Sequence, residues 1–344
     1  MPMSTTLDIF NNNAFSASSL SVAIQTGPYK PRMIGEMGLY SEDPIRTTTA
    51  WIEKRQGKLA LIKTSARGTM GDVRSTLPRS AVPFQIPHYP YHQNILADDV
   101  QNVRAFASNE LMEVSEHVND QLEGMKDDHE VTQEFGRVKG IQGIVYDADN
   151  TTVIYNFFTQ FGLSQTSVNW LTTDVSFVTT TNTVIRTISD KLGSQSFSGI
   201  VAFCGDNYFD AVIGHPSVRA AYDRWKFGEF FRTNKLGPQF YKAASYNGFE
   251  FQDIYFINYR GQIGDAKFIA TNEAYYVPFG IPNLFIEVLA PADMIPFINK
   301  KGKRWYASKE FLPHQTGIQL YTQHNILPVP TRPDVVVKST WAAA

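Results

Sequence analysis

Apolar residues recur at steps of three and four through one long stretch of this chain: Val100, Val103, Ala107, Leu111, Val114, Val118, Leu122 and Met125. That spacing is the signature of one apolar face on a single helix. Weaker continuation through Val131, Phe135 and Val138 extends the expected helix over 99–139, roughly 60 Å at about 1.5 Å per residue. Asp98 is placed to cap its first turn with Gln101 answering it, and Arg137 and Lys139 suit the negative end of the helix dipole. A helix so long, with so narrow a stripe, is expected to bury one side on its own core and leave the rest for water or neighbouring copies. The same steps also fit coiled-coil heptads. Gly124, which interrupts the run where the heptads fade, and the strand-like sequence around Gly140 and Gly143 favour a spine packed on a small sheet.

The 344 residues, 43% hydrophobic and 13% aromatic, suffice for a substantial core in one large domain or a few lobes. A net charge of -2 excludes the strongly basic surface of a dedicated nucleic-acid binder. The single cysteine, Cys204, forbids an intrachain disulfide, and no basic segment leads into an apolar one at the amino terminus. No apolar run approaches the ~20 residues that cross a bilayer. The expectation is a soluble, cytosolic chain without a membrane partner.

Residues 1–40 mix Asn, Ser, Thr, Pro and Gly with scattered apolar anchors, among them Ile9, Phe10 and Phe15. An arm of this composition orders by lying across another surface. From Thr47 to Thr64 two strands are expected around a Gln56-Gly57 turn, and a hairpin this polar projects. Prolines 83, 87 and 90 then enforce extended backbone. Beyond the spine, GIVYDADNTTVIYNF is a hairpin, a short helix ends at Gly193, GIVAFCGD is a buried strand, and helical pieces flank His215-Pro216. Strands dominate from Gly248 on. The mixed order, without regular βα alternation, favours an α+β fold.

Candidate chemistry is sparse. Cys204, Asp206 and His215 could be read as a nucleophile and its base, but no hydrolase signature surrounds them, and a strand-borne cysteine is more often a small buried hydrophobe. His88 and His92 sit at metal-pair spacing for a helix, yet Pro87 and Pro90 impose extended backbone that separates them by ~13 Å. Asp147, Asp149 and Asn150 lack the glycine and distal glutamate of a calcium loop, which leaves a hairpin turn. GTMGD at 68–72 lacks the Gly-Lys-Ser/Thr ending of a phosphate loop. No catalytic, cofactor or metal site is expected.

LDIFNNNAFSASSLSVAI followed by PRMIGEMGLY resembles the amino terminus of the phage major capsid protein E family, the lambda-type shell proteins. So do, in order, IPHYPYHQNILADDVQNVRAFAS, RVKGIQGIVYDADNTTVIYNFFTQFG, FCGDNYFDAVIGHPSVRAAYDRW, FGIPNLFIEVLAPADM and LPVPTRPDVVVK, so that the resemblance covers nearly the whole chain. It implies a Hong Kong 97-type phage capsid fold of α+β class with an N-terminal arm, an extended loop, a long spine helix in a peripheral domain, and an axial domain. On that resemblance the arm is 1–40, the extended loop 41–96, the peripheral domain 97–195 with its spine helix at 99–139, the axial domain 196–299, and the carboxy-terminal strands 300–344 complete the sheets.

The resemblance further implies a major capsid protein of a tailed phage, not an enzyme, assembling with itself into pentamers and hexamers of an icosahedral shell, in the host cytoplasm and then in the virion. Decoration, scaffolding, protease and portal proteins are the partners it implies, with packaged double-stranded DNA touched non-specifically. Trp51, Leu59 and Leu61 in the loop and Ile9, Phe10 and Phe15 in the arm are the expected anchors between subunits, though each could equally pack within its own chain. Two other readings stand beside this one: a cellular nanocompartment around a protein cargo, and a cytosolic thiol enzyme using Cys204 and His215.

Overall fold

One helix touches most of what surrounds it. In the computed structural model, which describes residues 33–55, 79–100, 114–169, 176–193, 195–225, 248–263 and 266–341, this helix runs Val114–Gln142. A helical Ala97–Val100 precedes it; residues 101–113 of the expected spine lie outside the described residues. The 29 residues span roughly 43 Å. Val118, Leu122 and Met125 pack with Ile95, Trp305, Ala307, Ile318 and Leu320. Phe135, Val138 and Ile141 pack instead with Met33, Ile34, Val201, Phe203 and Tyr275. The stripe therefore serves two cores in succession.

The first core lies under an antiparallel sheet of Tyr306–Phe311, Gly317–His324 and Tyr89–Leu96. The second lies on one face of a six-stranded sheet in the order Thr166–Ser167, Val337–Thr340, Glu273–Phe279, Gly199–Cys204, Ile254–Asn258, Gly248–Phe251. Its central strands alternate with the two-residue period of a sheet buried on both sides. Val201, Phe203, Tyr275 and Val277 face the long helix, while Ile200, Ala202, Cys204, Ala274 and Tyr276 face the helices Phe177–Leu192, Asp206–Gly214 and Pro216–Trp225. In a third sheet Tyr40–Pro44 pairs parallel and Ile326–Pro330 antiparallel with Phe285–Leu289, and its Val288, Leu327 and Val329 pack in a further core with Phe84, Phe157 and Phe161.

Several expectations change. The helix passes through Gly124 without a break and ends at Gly143, whose φ of 80° suits a glycine. Its other glycines are contact points. A Cβ on Gly140 would stand 2.6 Å from Tyr40 Oη and 3.2 Å from Pro328 Cβ, and one on Gly136 would meet Pro328 Cγ at 3.4 Å. Nor are the polar faces left to water: Lys126, His129, Glu130, Gln133, Glu134, Arg137 and Lys139 are all buried. Strand Thr49–Arg55 pairs with Arg79–Gln85; residues 56–78, which hold the expected Gln56-Gly57 turn and second strand, lie outside the described residues. Ile326–Pro330 is a strand that its prolines had concealed, tolerated because it is an edge strand whose free side meets the helix. No helix among the described residues is long and apolar enough to cross a membrane.

Gly140→Ala should lower stability by about 1–3 kcal/mol through overpacking against Tyr40 and Pro328. Gly124→Ala, where a Cβ meets nothing within 4 Å, should instead raise it by about 0.5–1 kcal/mol through helix propensity. Chemical denaturation of the two variants checks the opposite signs.

Candidate functional site

Charged side chains that face one another in the interior join the segments the sequence reading assigned to arm, loop, spine and sheets. Glu134 and Arg137 are one helical turn apart, and Arg137 Nη1 donates to Glu134 Oε2 at 3.4 Å. Arg137 also grips Glu287 of the strand Phe285–Leu289 with two bonds, Nε to Oε1 at 2.6 Å and Nη2 to Oε2 at 3.3 Å. The bidentate geometry fixes orientation as well as distance. Arg137 is 2% and Glu287 1% exposed, so neither charge is solvated and each depends on the other.

The cluster reaches outward from that pair. Glu287 Oε2 also accepts from Arg304 Nη2 at 3.0 Å, and Arg304 donates through Nε to Glu42 Oε1 at 3.0 Å and through Nη1 to Gln133 Oε1 at 3.3 Å. Glu134 accepts the amides of Ile34 at 2.9 Å and Gly35 at 3.4 Å, and the Tyr259 hydroxyl at 3.3 Å. Tyr40 Oη donates to the Arg137 carbonyl at 2.7 Å, and burial, with the neighbouring Glu287 carboxylate, pushes its pKa well up. One helical turn thus pins residues 34–42, the strand at 287, and Arg304 just before the helix-covering sheet.

A second joint lies where that sheet meets the helix. His129 and His324 approach Nδ1 to Nδ1 at 2.6 Å, and His129 Nε2 meets Thr322 Oγ1 at 2.9 Å. Tyr89 stacks on His324 at 4.5 Å. A contact between two ring nitrogens needs one donor and one acceptor, so the two rings cannot both be charged. Burial lowers the pKa of His129 to about 4 and that of His324 well below the ordinary histidine value.

Of the expected anchors, Trp51 lies within the described residues, in the strand Thr49–Arg55 and 67% exposed. Its neighbours Ala50 and Ile52 point the other way, into the cluster with Phe84, Phe157 and Phe161. Ile9, Phe10, Phe15, Leu59 and Leu61 lie outside the described residues. The sequence reading missed the charge cluster because its members are up to 262 positions apart. The one local signal was Glu134 and Arg137 at i,i+3 spacing.

The thiol chemistry does not assemble. Cys204 is fully buried in the middle of the six-stranded sheet, its pKa pushed well up by that burial. A buried neutral thiol is a poor nucleophile. His215 Nδ1 lies 2.7 Å from Ser217 Oγ, and Asp206 is held by Lys267 and Arg260. Asp149 closes a hairpin turn by accepting the amides of Thr151 and Thr152. Among the described residues no group of three His, Cys, Asp or Glu could hold a metal ion.

The sequence matches one protein family, described as phage major capsid protein E, over residues 16–341. It is 25% identical over 317 residues to the major capsid protein of Pseudomonas phage KPP10, covering 88% of this chain and 90% of that one. Against the major capsid protein of Salmonella phage Felix O1 it is 20% identical over 354 residues, covering 94% and 95%. Among solved structures, the putative capsid protein of a prophage of E. coli CFT073 superposes with a TM-score of 0.57 at 10% identity, covering 95% of this chain and 99% of that one. The capsid of Ralstonia phage GP4 does so with a TM-score of 0.52 at 9% identity, covering 91% and 89%.

Arg137→Met alone should destabilise the subunit by about 3–5 kcal/mol, because it takes their shared cation from the buried carboxylates Glu134 and Glu287, of which Arg304 still reaches Glu287 Oε2. Arg137→Met with Glu287→Leu should recover most of that loss, as chemical denaturation will report. For the histidine pair, the folded-state pKa lies below the unfolded value near 6.5, so the unfolded chain binds more protons between about 4 and 6.5. Stability should be fully present above that window and fall as pH drops through it. His129→Gln should flatten the dependence of melting temperature on pH.

Proposed function

The chain belongs to the phage major capsid protein E family, and we propose from that membership that copies of it close into the pentamers and hexamers of an icosahedral shell around the genome. It is a major capsid protein of Hong Kong 97-type fold, and a structural protein, not an enzyme. The single observation that carries the assembly reading is the family match over residues 16–341, and Trp51 supplies a candidate contact for it. A large aromatic ring held two-thirds exposed on a paired ribbon is of little use to an isolated subunit. Against a neighbour the same ring is the residue type that most often dominates an interface.

Residues 1–40 then act as the arm, 41–96 as the extended loop, 97–195 as the peripheral domain, 196–299 as the axial domain, and 300–344 as the strands that complete both sheets. Two facts support this division. Gly317–His324 joins the sheet over the long helix, and Val337–Thr340 joins the six-stranded sheet. Ile9, Phe10, Phe15, Leu59 and Leu61 are proposed, with Trp51, as anchors on adjacent subunits. Portal, scaffolding, protease and decoration proteins are proposed partners, with assembly in the host cytoplasm. The near-neutral charge of the chain suits a wall that touches packaged DNA without gripping it.

The test is electron microscopy of the full chain expressed with its neighbouring phage genes. Closed shells with co-purifying DNA are expected. Trp51→Ala should cut shell yield while the subunit melts within about 0.5 kcal/mol of the wild type, as for a surface change. A homogeneous monomer or dimer would contradict the assembly, and a protein cargo in place of DNA would favour the nanocompartment.

A further inference from the structure

Between the strands Phe285–Leu289 and Tyr306–Phe311 the chain forms an anchored tip. Its short turn Ile295–Phe297 sends Phe297 inward, with its ring 4.9 Å from that of Tyr306 and the Lys303 ammonium 5.5 Å from the same ring centre. The Lys303 amide donates to Tyr306 Oη at 2.7 Å. The anchoring holds the tip in place yet leaves Ile295 87% and Ile298 58% exposed. Lys300 and Lys301, both exposed, follow directly. Adjacent aliphatic side chains displayed on a fixed turn mark a contact surface more than a scatter of single residues does.

A surface of matching chemistry lies across the sheet. Leu96 is 47% exposed at the end of the strand Tyr89–Leu96, with Asp98 and Asp99 exposed just after it. The register places Tyr306 opposite Gln323 and that residue opposite Pro90, whereas Leu96 lies opposite Gly317 at the other end. Pro90 and Leu96 are about 20 Å apart along an extended strand. The tip and the Leu96 surface therefore cannot meet within one chain. One is apolar and basic, the other apolar and acidic, and none of the ion pairs among the described residues engages Lys300, Lys301 or Asp98.

We propose that the Ile295–Ile298 tip of one copy seats on the Leu96 surface of a second copy, with Lys300 and Lys301 facing Asp98 and Asp99. The two surfaces differ, so the contact is heterologous and propagates head to tail until rotation closes it. Burial of the isoleucines supplies the attraction, and the charges select register and partner. The contact rests on the capsid reading and assigns one of its interfaces.

Charge reversal in the full chain, expressed with its neighbouring phage genes, tests it by counting closed shells. Lys300→Glu with Lys301→Glu, and separately Asp98→Lys, should each lower shell yield by about tenfold, and the combination of all three should restore it; Asp99, whose Oδ2 accepts the Leu96 amide at 2.8 Å, is left in place. Ile295→Ser with Ile298→Ser should lower yield without being rescued by the charge changes. Melting curves of the lysine and isoleucine variants, altered only at exposed positions, verify that the subunit still folds. Wild-type yield from the lysine variant, or failure of the three-fold combination to recover shells lost in both charge variants, overturns the contact. Absence of shells from the unaltered chain removes the contact together with the reading beneath it.

Discussion

The bidentate pair between Arg137 and Glu287 is the constraint on which the arrangement of the molecule depends. Two buried charges must meet in one geometry, because a solvated alternative does not exist for either. Meeting there fixes the rotation of the long helix about its axis and its height against the strand Phe285–Leu289. Glu134 then receives the amides of Ile34 and Gly35, and Arg304 reaches Glu42 and Gln133 from the side. An apolar stripe alone would allow the helix to slide or turn by a fraction of a residue. The charges remove that freedom.

The long helix also shows what sequence periodicity can and cannot convey. Val118, Leu122 and Met125 pack where the stripe said they would. The reading failed on the other faces, since Lys126, Glu130, Glu134 and Arg137 are buried as well. Periodicity distinguishes apolar from polar positions, and burial follows polarity only where no compensating partner exists elsewhere in the chain. The partners here, Glu287, Arg304 and Tyr259, come from segments more than 100 positions away. Gly140, read as the start of strand-like sequence, lies inside the helix and with Gly136 makes its close approach to Pro328 and Tyr40. The α+β class was legible, as were the buried strand of Cys204, the helix stop at Gly193 and the Asp149 turn. The pairing of Thr49–Arg55 with Arg79–Gln85 was not, because nothing local in either strand names its partner.

The family resemblance and the physical reading of the residues converge on a subunit with a rigid centre and displayed edges. The rigid centre is the helix with its two cores, locked by the charge cluster and by the neutral pair His129–His324. The displayed edges include Trp51, Ile295 and Leu96, each exposed on a backbone that is itself hydrogen-bonded or packed. This division suits a protein whose copies must present the same surfaces many times over, since errors in one subunit's internal geometry would propagate through every contact it makes. Cys204, the candidate nucleophile, is buried on the face of the six-stranded sheet that turns away from the long helix.

The account stands most directly on a cryo-electron reconstruction of the particle formed by the full chain. It predicts a closed shell in which the Arg137–Glu287 pair is unchanged within each subunit while Trp51 and Ile295 are buried against neighbouring copies. A shell in which Trp51 and Ile295 remain in solvent, or in which Arg137 takes a carboxylate from another subunit, would contradict it.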